Sequence, residues 1–374
     1  MQALHRAPED ATLQPLRRSL ARWALDAGQY EQATEWAKEA SRREVNTDTA
    51  FVLDELAIVS MYRAGDLEQA GAEASTFEGW YKDHPSLDEA MAHFALELGR
   101  YHSSQGQYDS SLRAYKSITG KYKKTSYEPN ARYEIARDYM EQGEAEKAYE
   151  MLIELANDSP EHPVMGQVYW LLGNYYASTG KYFEAFNKYE AVLADSAYIA
   201  IWPQVLGNQI RAFKEAGFYE GAMRAARQFL EMYPDSEDAF DHRMNLALSY
   251  HETGHYDLAI SQFRRAMTLA DGEDYPACQF YIAEALERSG RLKEAVSEYM
   301  RVVHLNRPSK LQWGITAMYN AGKVLERLNE PERAKSLYRE IVRREGLGSP
   351  FGRRADEQVK RLEMFEQDQA EGGQ

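Results

Sequence analysis

The sequence predicts an all-α fold built of about nine stacked helix–turn–helix repeats, and three observations predict it. Glycines recur at a nearly constant interval: Gly28, Gly65, Gly106, Gly143, Gly180, Gly217, Gly254 and Gly290 lie 37, 41, 37, 37, 37, 37 and 36 residues apart. Around each glycine, small and apolar residues follow spacings of three, four and seven, which place them on one helical face. The chain is 44% hydrophobic with 12 prolines, so it has apolar material enough for a large core and is not a disordered chain. A period of this length is the mark of an architecture in which each repeat is one supersecondary element.

The elements follow from positions counted from the turn. Small residues seven before it (Gly99, Ala136, Gly173, Ala247, Ala283, Gly322) accompany rings four before it (Tyr139, Tyr176, Phe213, Tyr250), which defines a first helix. The glycine then supplies the positive φ that ends that helix, and Asn329, which tolerates the same conformation, turns a ninth repeat. Two residues on, an aromatic or aliphatic residue opens the second helix, as Tyr30, Leu67, Tyr108, Tyr182, Tyr219, Tyr256 and Leu292. Five residues after the turn stands an alanine: Ala33, Ala70, Ala148, Ala185, Ala222, Ala259, Ala295 and Ala334, with Ser111 the single departure. Large rings follow four residues later as Tyr115, Tyr189, Phe263, Tyr299 and Tyr338. Small residues therefore sit where helices approach most closely, and rings fill the space between layers.

This pattern resembles the tetratricopeptide repeat, whose signature is nearly complete in VYWLLGNYYASTGKYFEAFNKYEAVL, residues 168 to 193. The resemblance covers roughly nine-tenths of the chain and implies a right-handed superhelical solenoid with a concave inner face lined by the first helices. The interval of 36 to 37, against the family's 34, and the stretch FLEMYPDSEDAFDHRMNLALSYHETGHYDLAI look like bacterial cell-envelope members, among them the Tol-Pal-associated and outer-membrane-assembly types.

The expected organisation is an upstream remnant at 1–13, about nine repeats over 14–348, and a C-terminal capping helix with a tail at 349–374. Pro160 and Pro234 stand 20 residues before Gly180 and Gly254, and Pro8 stands the same distance before Gly28. MQALHRAPED thus reads as the end of a preceding repeat's second helix, the alternative being a short native tail with a chance proline. In FGRRADEQVKRLEMFEQ, charges surround Val359, Leu362 and Phe365, the spacing of a solvated capping helix.

Several functions are excluded or disfavoured. A formal net charge of −15 repels phosphate backbones and anionic lipid surfaces, so no nucleic acid is expected as a partner. The most apolar run, Ala197 to Gly207, is about half a bilayer span and contains Pro203, so no direct membrane insertion is expected. Cys278 is the only cysteine, which leaves no disulfide framework and no thiolate zinc site; among Tyr275, Phe280 and Tyr281 it reads as a buried small residue. HETGH, residues 251 to 255, fits the zinc-protease motif H-E-x-x-H, but that chemistry needs both histidines on one continuous helix, and Gly254 is a turn glycine. GLGSPFG, residues 346 to 352, has no preceding strand to make it a phosphate loop and reads as the linker into the capping helix. KYKK, residues 121 to 124, reads as a solvated loop. No catalytic residue, metal or cofactor is expected, and the protein is not expected to be an enzyme.

The informative surface is the inner face that the resemblance implies. Six residues before successive turns stand Arg100, Arg137, Asn174 and Arg211; ten before stand Tyr133 and Trp170; nine before stand Asn208 and Asn245. Arginine forks suit carboxylates and amides suit a peptide backbone, so this row is a candidate site for an acidic partner segment. Against it, Glu97 and Glu134 lie three residues before Arg100 and Arg137 and could neutralise the row internally. The family's dicarboxylate clamp is not supported, because Trp170 occupies its lysine place beside Asn174. The expected function is a non-enzymatic scaffold that binds a protein or peptide on its concave face. The alternative is a structural assembly subunit of a bacterial envelope complex that stacks through its ends, with self-association. No targeting signal is present in this chain, so localisation stays open between a cytoplasmic default and the bacterial periplasm.

Overall fold

The structure, a computed structural model, describes residues 14–272, 274–305 and 312–372. Among the described residues nineteen α-helices follow one another and no strand occurs. They pair as α1 (Gln14–Asp26) with α2 (Tyr30–Arg42), α3 (Thr47–Ala64) with α4 (Leu67–Trp80), and α5 (Leu87–Ser104) with α6 (Tyr108–Gly120). The middle pairs are α7 (Glu128–Glu141) with α8 (Ala145–Asp158), α9 (Met165–Ser178) with α10 (Tyr182–Leu193), and α11 (Trp202–Glu215) with α12 (Tyr219–Met232). The last are α13 (Ala239–Glu252) with α14 (Tyr256–Met267), α15 (Asp274–Arg288) with α16 (Leu292–His304), and α17 (Trp313–Arg327) with α18 (Pro331–Glu345), after which α19 (Pro350–Gly372) closes the chain. The chain divides into two compact bodies, Met1–Tyr175 and Tyr176–Gln374. The expected remnant at 1–13 lies outside the described residues.

The turn is the same device in every repeat. Each of the eight glycines has positive φ, from 69° at Gly106 to 85° at Gly65, and Asn329 takes 59°. In this conformation the next residue's amide reaches back to a carbonyl five residues earlier, as Gln29 to Ala24 at 2.8 Å and His255 to Tyr250 at 2.8 Å. Those bonds satisfy orphan carbonyls of the first helix before the second begins.

Packing follows the spacing. The alanines five residues after the turn are fully buried wherever they occur, and Ser111 is buried in their place. Tyr115, Tyr189, Phe263, Tyr299 and Tyr338 are among the largest fully buried side chains. The small residue seven before the turn makes room for that ring: a Cβ on Gly99 would lie 2.2 Å from Tyr115, and one on Gly322 would lie 2.6 Å from Tyr338. Two of the buried phenols reach the preceding helix, Tyr299 donating to Glu287 at 2.9 Å and Tyr338 to Glu326 at 2.7 Å, because a buried hydroxyl needs a partner.

The irregular stretches also have local causes. The apolar run at 197–207 forms a 3₁₀ turn, Ser196–Ile201, that leads into α11 with Pro203 in the first helical turn, where its missing amide costs nothing. Of GLGSPFG, residues 346–349 are the linker and 350–352 open α19, and Ser349 caps that helix by accepting from the Gly352 amide at 2.9 Å. Val359 and Leu362 are buried, but Phe365 is 61% exposed, because the packed stripe of α19 runs through Ala355, Val359 and Leu362 and turns away before it.

Candidate functional site

In the first body the first helices of neighbouring repeats carry a ladder of alternating charge. Arg63 on α3 clasps Glu97 on α5, donating from Nε at 3.0 Å and Nη2 at 2.9 Å. Arg100, one turn further along α5, donates to Glu97 at 3.1 Å and to Glu134 on α7 at 2.7 Å. Arg137 Nη1 stands 2.8 Å from Glu134 as an ion pair without hydrogen-bond alignment, and its Nη2 donates to Ser103 at 3.2 Å. Ser103 donates in turn to Asp138 at 2.5 Å. At the other end His93 Nδ1 lies 2.8 Å from Glu55 and its Nε2 3.7 Å from Glu97, with its ring stacked on Tyr127.

Burial sorts this ladder by sign. The Glu97 and Glu134 side chains are 4% and 3% exposed, whereas those of Arg63, Arg100 and Arg137 are 33%, 37% and 35% exposed. The carboxylates are floor and the guanidiniums are surface. Burial alone would raise the Glu97 pKa, but the His93 ring nearby, the hydrogen bonds from Arg63 and the charges of Arg100 and Arg63 hold it well below the usual carboxylate range. Burial likewise pulls His93 down, and its contacts with Glu55 and Glu97 outweigh that and raise it. Tyr30, Tyr62, Tyr101 and Tyr133 surround the arginines in a cavity of about 510 Å³. Tyr133 is only 8% exposed, and its hydroxyl is pushed up to about 12 by burial and the neighbouring Glu134; the ring is wall rather than contact surface. Trp170 and Asn174 on α9 are half-buried, and the indole amide of Trp170 has no hydrogen-bond partner among the described residues.

The corresponding positions in the second body are organised differently. Where repeats three and four place Glu97 and Glu134 nine residues before the turn, repeats six and seven place Asn208 and Asn245. Arg211 on α11 is exposed and makes no ion pair among the described residues. Lys214, one turn along, is half-buried and donates from Nζ to Asn245 Oδ1 on α13 at 2.5 Å, a neutral partner. Burial therefore lowers the Lys214 pKa, against the charge of Glu215 beside it. His242 on α13 is also lowered, first by burial, with the Arg211 charge adding to the effect. The two cations share one helical face three residues apart, and no carboxylate buries itself between them.

The structure thus places Arg100, Tyr133, Arg137, Trp170 and Asn174 in the first body and Asn208, Arg211 and Asn245 in the second. Arg100 and Arg137 are held by Glu134; Arg211 is not held. Lys214 was not singled out in the sequence, although a lysine three residues before a turn glycine, with an asparagine at the facing position of the next repeat, is the signal that would have found it.

The remaining motifs fall to structure. α13 ends at Glu252 and Gly254 has φ of 78°, so the two histidines of HETGH leave in different directions. His251 is buried, and His255 lies beside Thr253 at 2.9 Å in the turn. No group of three or more His, Cys, Asp or Glu side chains suited to a metal ion occurs among the described residues. The Cys278 thiol is buried beside Met244 and pushed up to about 12, which leaves it protonated and a poor nucleophile. In KYKK, Lys121 lies 3.5 Å from Glu78 and over the buried Tyr122 ring. No helix among the described residues is long and apolar enough to cross a membrane.

Comparison with known proteins bears on the repeat directly. A family model described as YfiO, outer membrane lipoprotein, matches residues 92–270, and a tetratricopeptide-repeat model matches residues 316–345, the span of α17 and α18. No curated protein matches the chain. Among solved structures, the apo form of RapI is 13% identical with a TM-score of 0.54, covering 95% of this chain and 99% of that one. A tetratricopeptide repeat protein from Parabacteroides merdae is 16% identical with a TM-score of 0.44, covering 73% and 99%. PilF of Pseudomonas aeruginosa is 16% identical with a TM-score of 0.39, covering 60% and 95%. The likeness to RapI shows a shared fold. With turn glycines, buried alanines and the matched repeat model on one frame, the chain has a tetratricopeptide-repeat fold.

Proposed function

We propose that the protein is a non-enzymatic scaffold whose first helices bind an acidic segment of a partner protein, with Arg211, Lys214 and Asn245 as the anchoring group. The observation that carries this reading is the contrast along one repeat position. Glutamates nine before the turn satisfy the arginines of repeats three and four, while asparagines at the same place leave Arg211 without an acid and Lys214 with only an amide. A partner carboxylate would supply the charge that Lys214 lacks, and the Asn245 amide has a donor to spare for a peptide carbonyl. Arg100 and Arg137, in the first body, are held by buried glutamates and are not part of this anchoring group.

A second reading has one observation in its favour. The match to an outer-membrane-lipoprotein model over residues 92–270 supports a place in a bacterial envelope assembly, in which the same face would seat a neighbouring subunit. Fluorescence anisotropy with a labelled peptide of alternating glutamate and small residues tests the first reading. Arg211→Ala with Lys214→Gln is expected to weaken binding at least tenfold and to flatten its salt dependence, while Arg137→Ala changes it less. Equal affinity for the double variant and the parent would remove the anchoring group and leave the assembly reading in its place.

A further inference from the structure

The second helices of repeats seven and eight frame a groove of about 400 Å³ that the scaffold reading does not use. Its wall on α14 carries Arg264 and Arg265, both exposed and neither in an ion pair among the described residues. Opposite them stands Arg291, the residue before α16, whose Nη2 lies 2.8 Å from Asp257. The Ser261 hydroxyl completes the donors, over an apolar floor of Ile260 and Leu286, while the Thr268 hydroxyl at the rim is already given to the Arg265 carbonyl at 2.8 Å. One acid besides Asp257 borders the groove, Glu294 in the first turn of α16.

A further cation stands behind this wall without compensation. Arg243 on α13 has an amide as its partner, donating to Gln262 Oε1 at 3.3 Å. Burial lowers its pKa, and the charge of Arg265 lowers it further. In a chain of net charge −15, arginines that outnumber the acids beside them mark a place where a bound anion would lower the electrostatic energy. One carboxylate is satisfied by one guanidinium fork, whereas the three terminal oxygens of a phosphate group accept from several guanidiniums and hydroxyls at once.

We propose that this groove binds a dianionic phosphate group, with Arg264, Arg265 and Arg291 as its cations and Ser261 as its hydroxyl donor. The group can arrive as free phosphate or on a phosphorylated molecule, and the two sources differ in what lies beside the apolar floor. The site is separate from Arg211 and Lys214, so either can fail without the other.

Isothermal titration of the whole chain with inorganic phosphate and with phenyl phosphate, each against chloride of matched ionic strength, tests it. Both are expected to bind, Arg265→Gln to weaken both at least tenfold, and Glu294→Gln to tighten both several-fold by removing the one unpaired acid. Arg211→Ala should leave phosphate binding unchanged. Phenyl phosphate bound at least tenfold tighter than inorganic phosphate assigns the site to a phosphorylated group, and equal affinities assign it to the free ion; either upholds the site. No binding above the chloride control overturns it, as does an Arg265→Gln variant that binds like the parent. Should Arg265→Gln fail to fold, Glu294→Gln decides alone, since an unchanged affinity there contradicts the proposed geometry.

Discussion

Glu97 and Glu134 are carboxylates that a packed helix interface accepts only while guanidiniums face them, and Arg100 faces both. Its removal leaves Glu134 with Arg137 alone and Glu97 with Arg63 and His93. Because the guanidinium is about a third exposed, the loss should fall below that of a fully buried pair: Arg100→Ala is expected to cost about 1–3 kcal/mol in chemical denaturation. A cost within about 0.5 kcal/mol of zero would reduce the ladder to ordinary surface pairs. His93 adds a pH dependence whose sign follows from its raised pKa. Its folded-state contacts favour the protonated ring, so their contribution is complete below the ordinary value of 6.5 and is lost as pH rises through the folded one. Glu97, lowered from 4.5, contributes above that value and loses its contribution only as pH falls through its depressed one. Between weakly acidic and weakly alkaline pH the His93 contribution falls as pH rises, while the lowered His242 contributes in the opposite sense, so the test is the difference between two proteins: His93→Gln should remove a contribution that falls with pH. A His93→Gln protein whose midpoint follows the same pH course as the parent's would contradict the geometry at Glu55 and Glu97. The ladder was half legible in the sequence: Glu97 and Arg100 are visibly one turn apart, but the bond from Arg100 to Glu134 joins two repeats and depends on how the helices are rotated against each other.

Helix pairs carry the fold, and their packing was the most legible part of the chain. Gly99, Tyr115 and Ser111 show why: each type answers a local requirement of space, volume or turn geometry that the repeat restates eight times over. Helical spacing alone does not say where a packed stripe ends, as the exposed Phe365 shows. Tyr133 is buried whereas Trp170, also ten residues before its turn, is half-buried, so position in the repeat does not by itself fix exposure. The close approach can be tested at Gly99, where a Cβ would meet the Tyr115 ring at 2.2 Å. Gly99→Ala is expected to lower stability by about 1–3 kcal/mol, since the ring has to move within a filled layer. A thermal midpoint equal to the parent's would show that the layer is looser than the structure has it. At Gly254 the added Cβ meets nothing within 4 Å, and only the positive φ opposes it. Gly254→Ala should therefore cost about 1 kcal/mol, a backbone effect alone. It should not create zinc binding at HETGH, which metal analysis after dialysis against zinc would check; one retained zinc per chain would overturn the reading of that motif as a turn.

Across the whole chain, repeats that share one backbone frame differ in what their first helices present, and this difference is the basis of the proposed function. The frame is set by glycines, alanines and rings, and these tolerate almost any polar residue six and nine positions before the turn. Acidic residues at the ninth position convert an arginine into a structural strut; amides there leave cations available in a chain that is otherwise strongly acidic. The central claim is that the residue nine before the turn decides between these two roles. Asn245→Glu tests it most directly, because it gives Lys214 the carboxylate that repeats three and four already have. The account predicts that this one substitution weakens binding of an acidic peptide at least tenfold while leaving the protein as stable as the parent or more so. Undiminished peptide binding in a folded Asn245→Glu protein would contradict it.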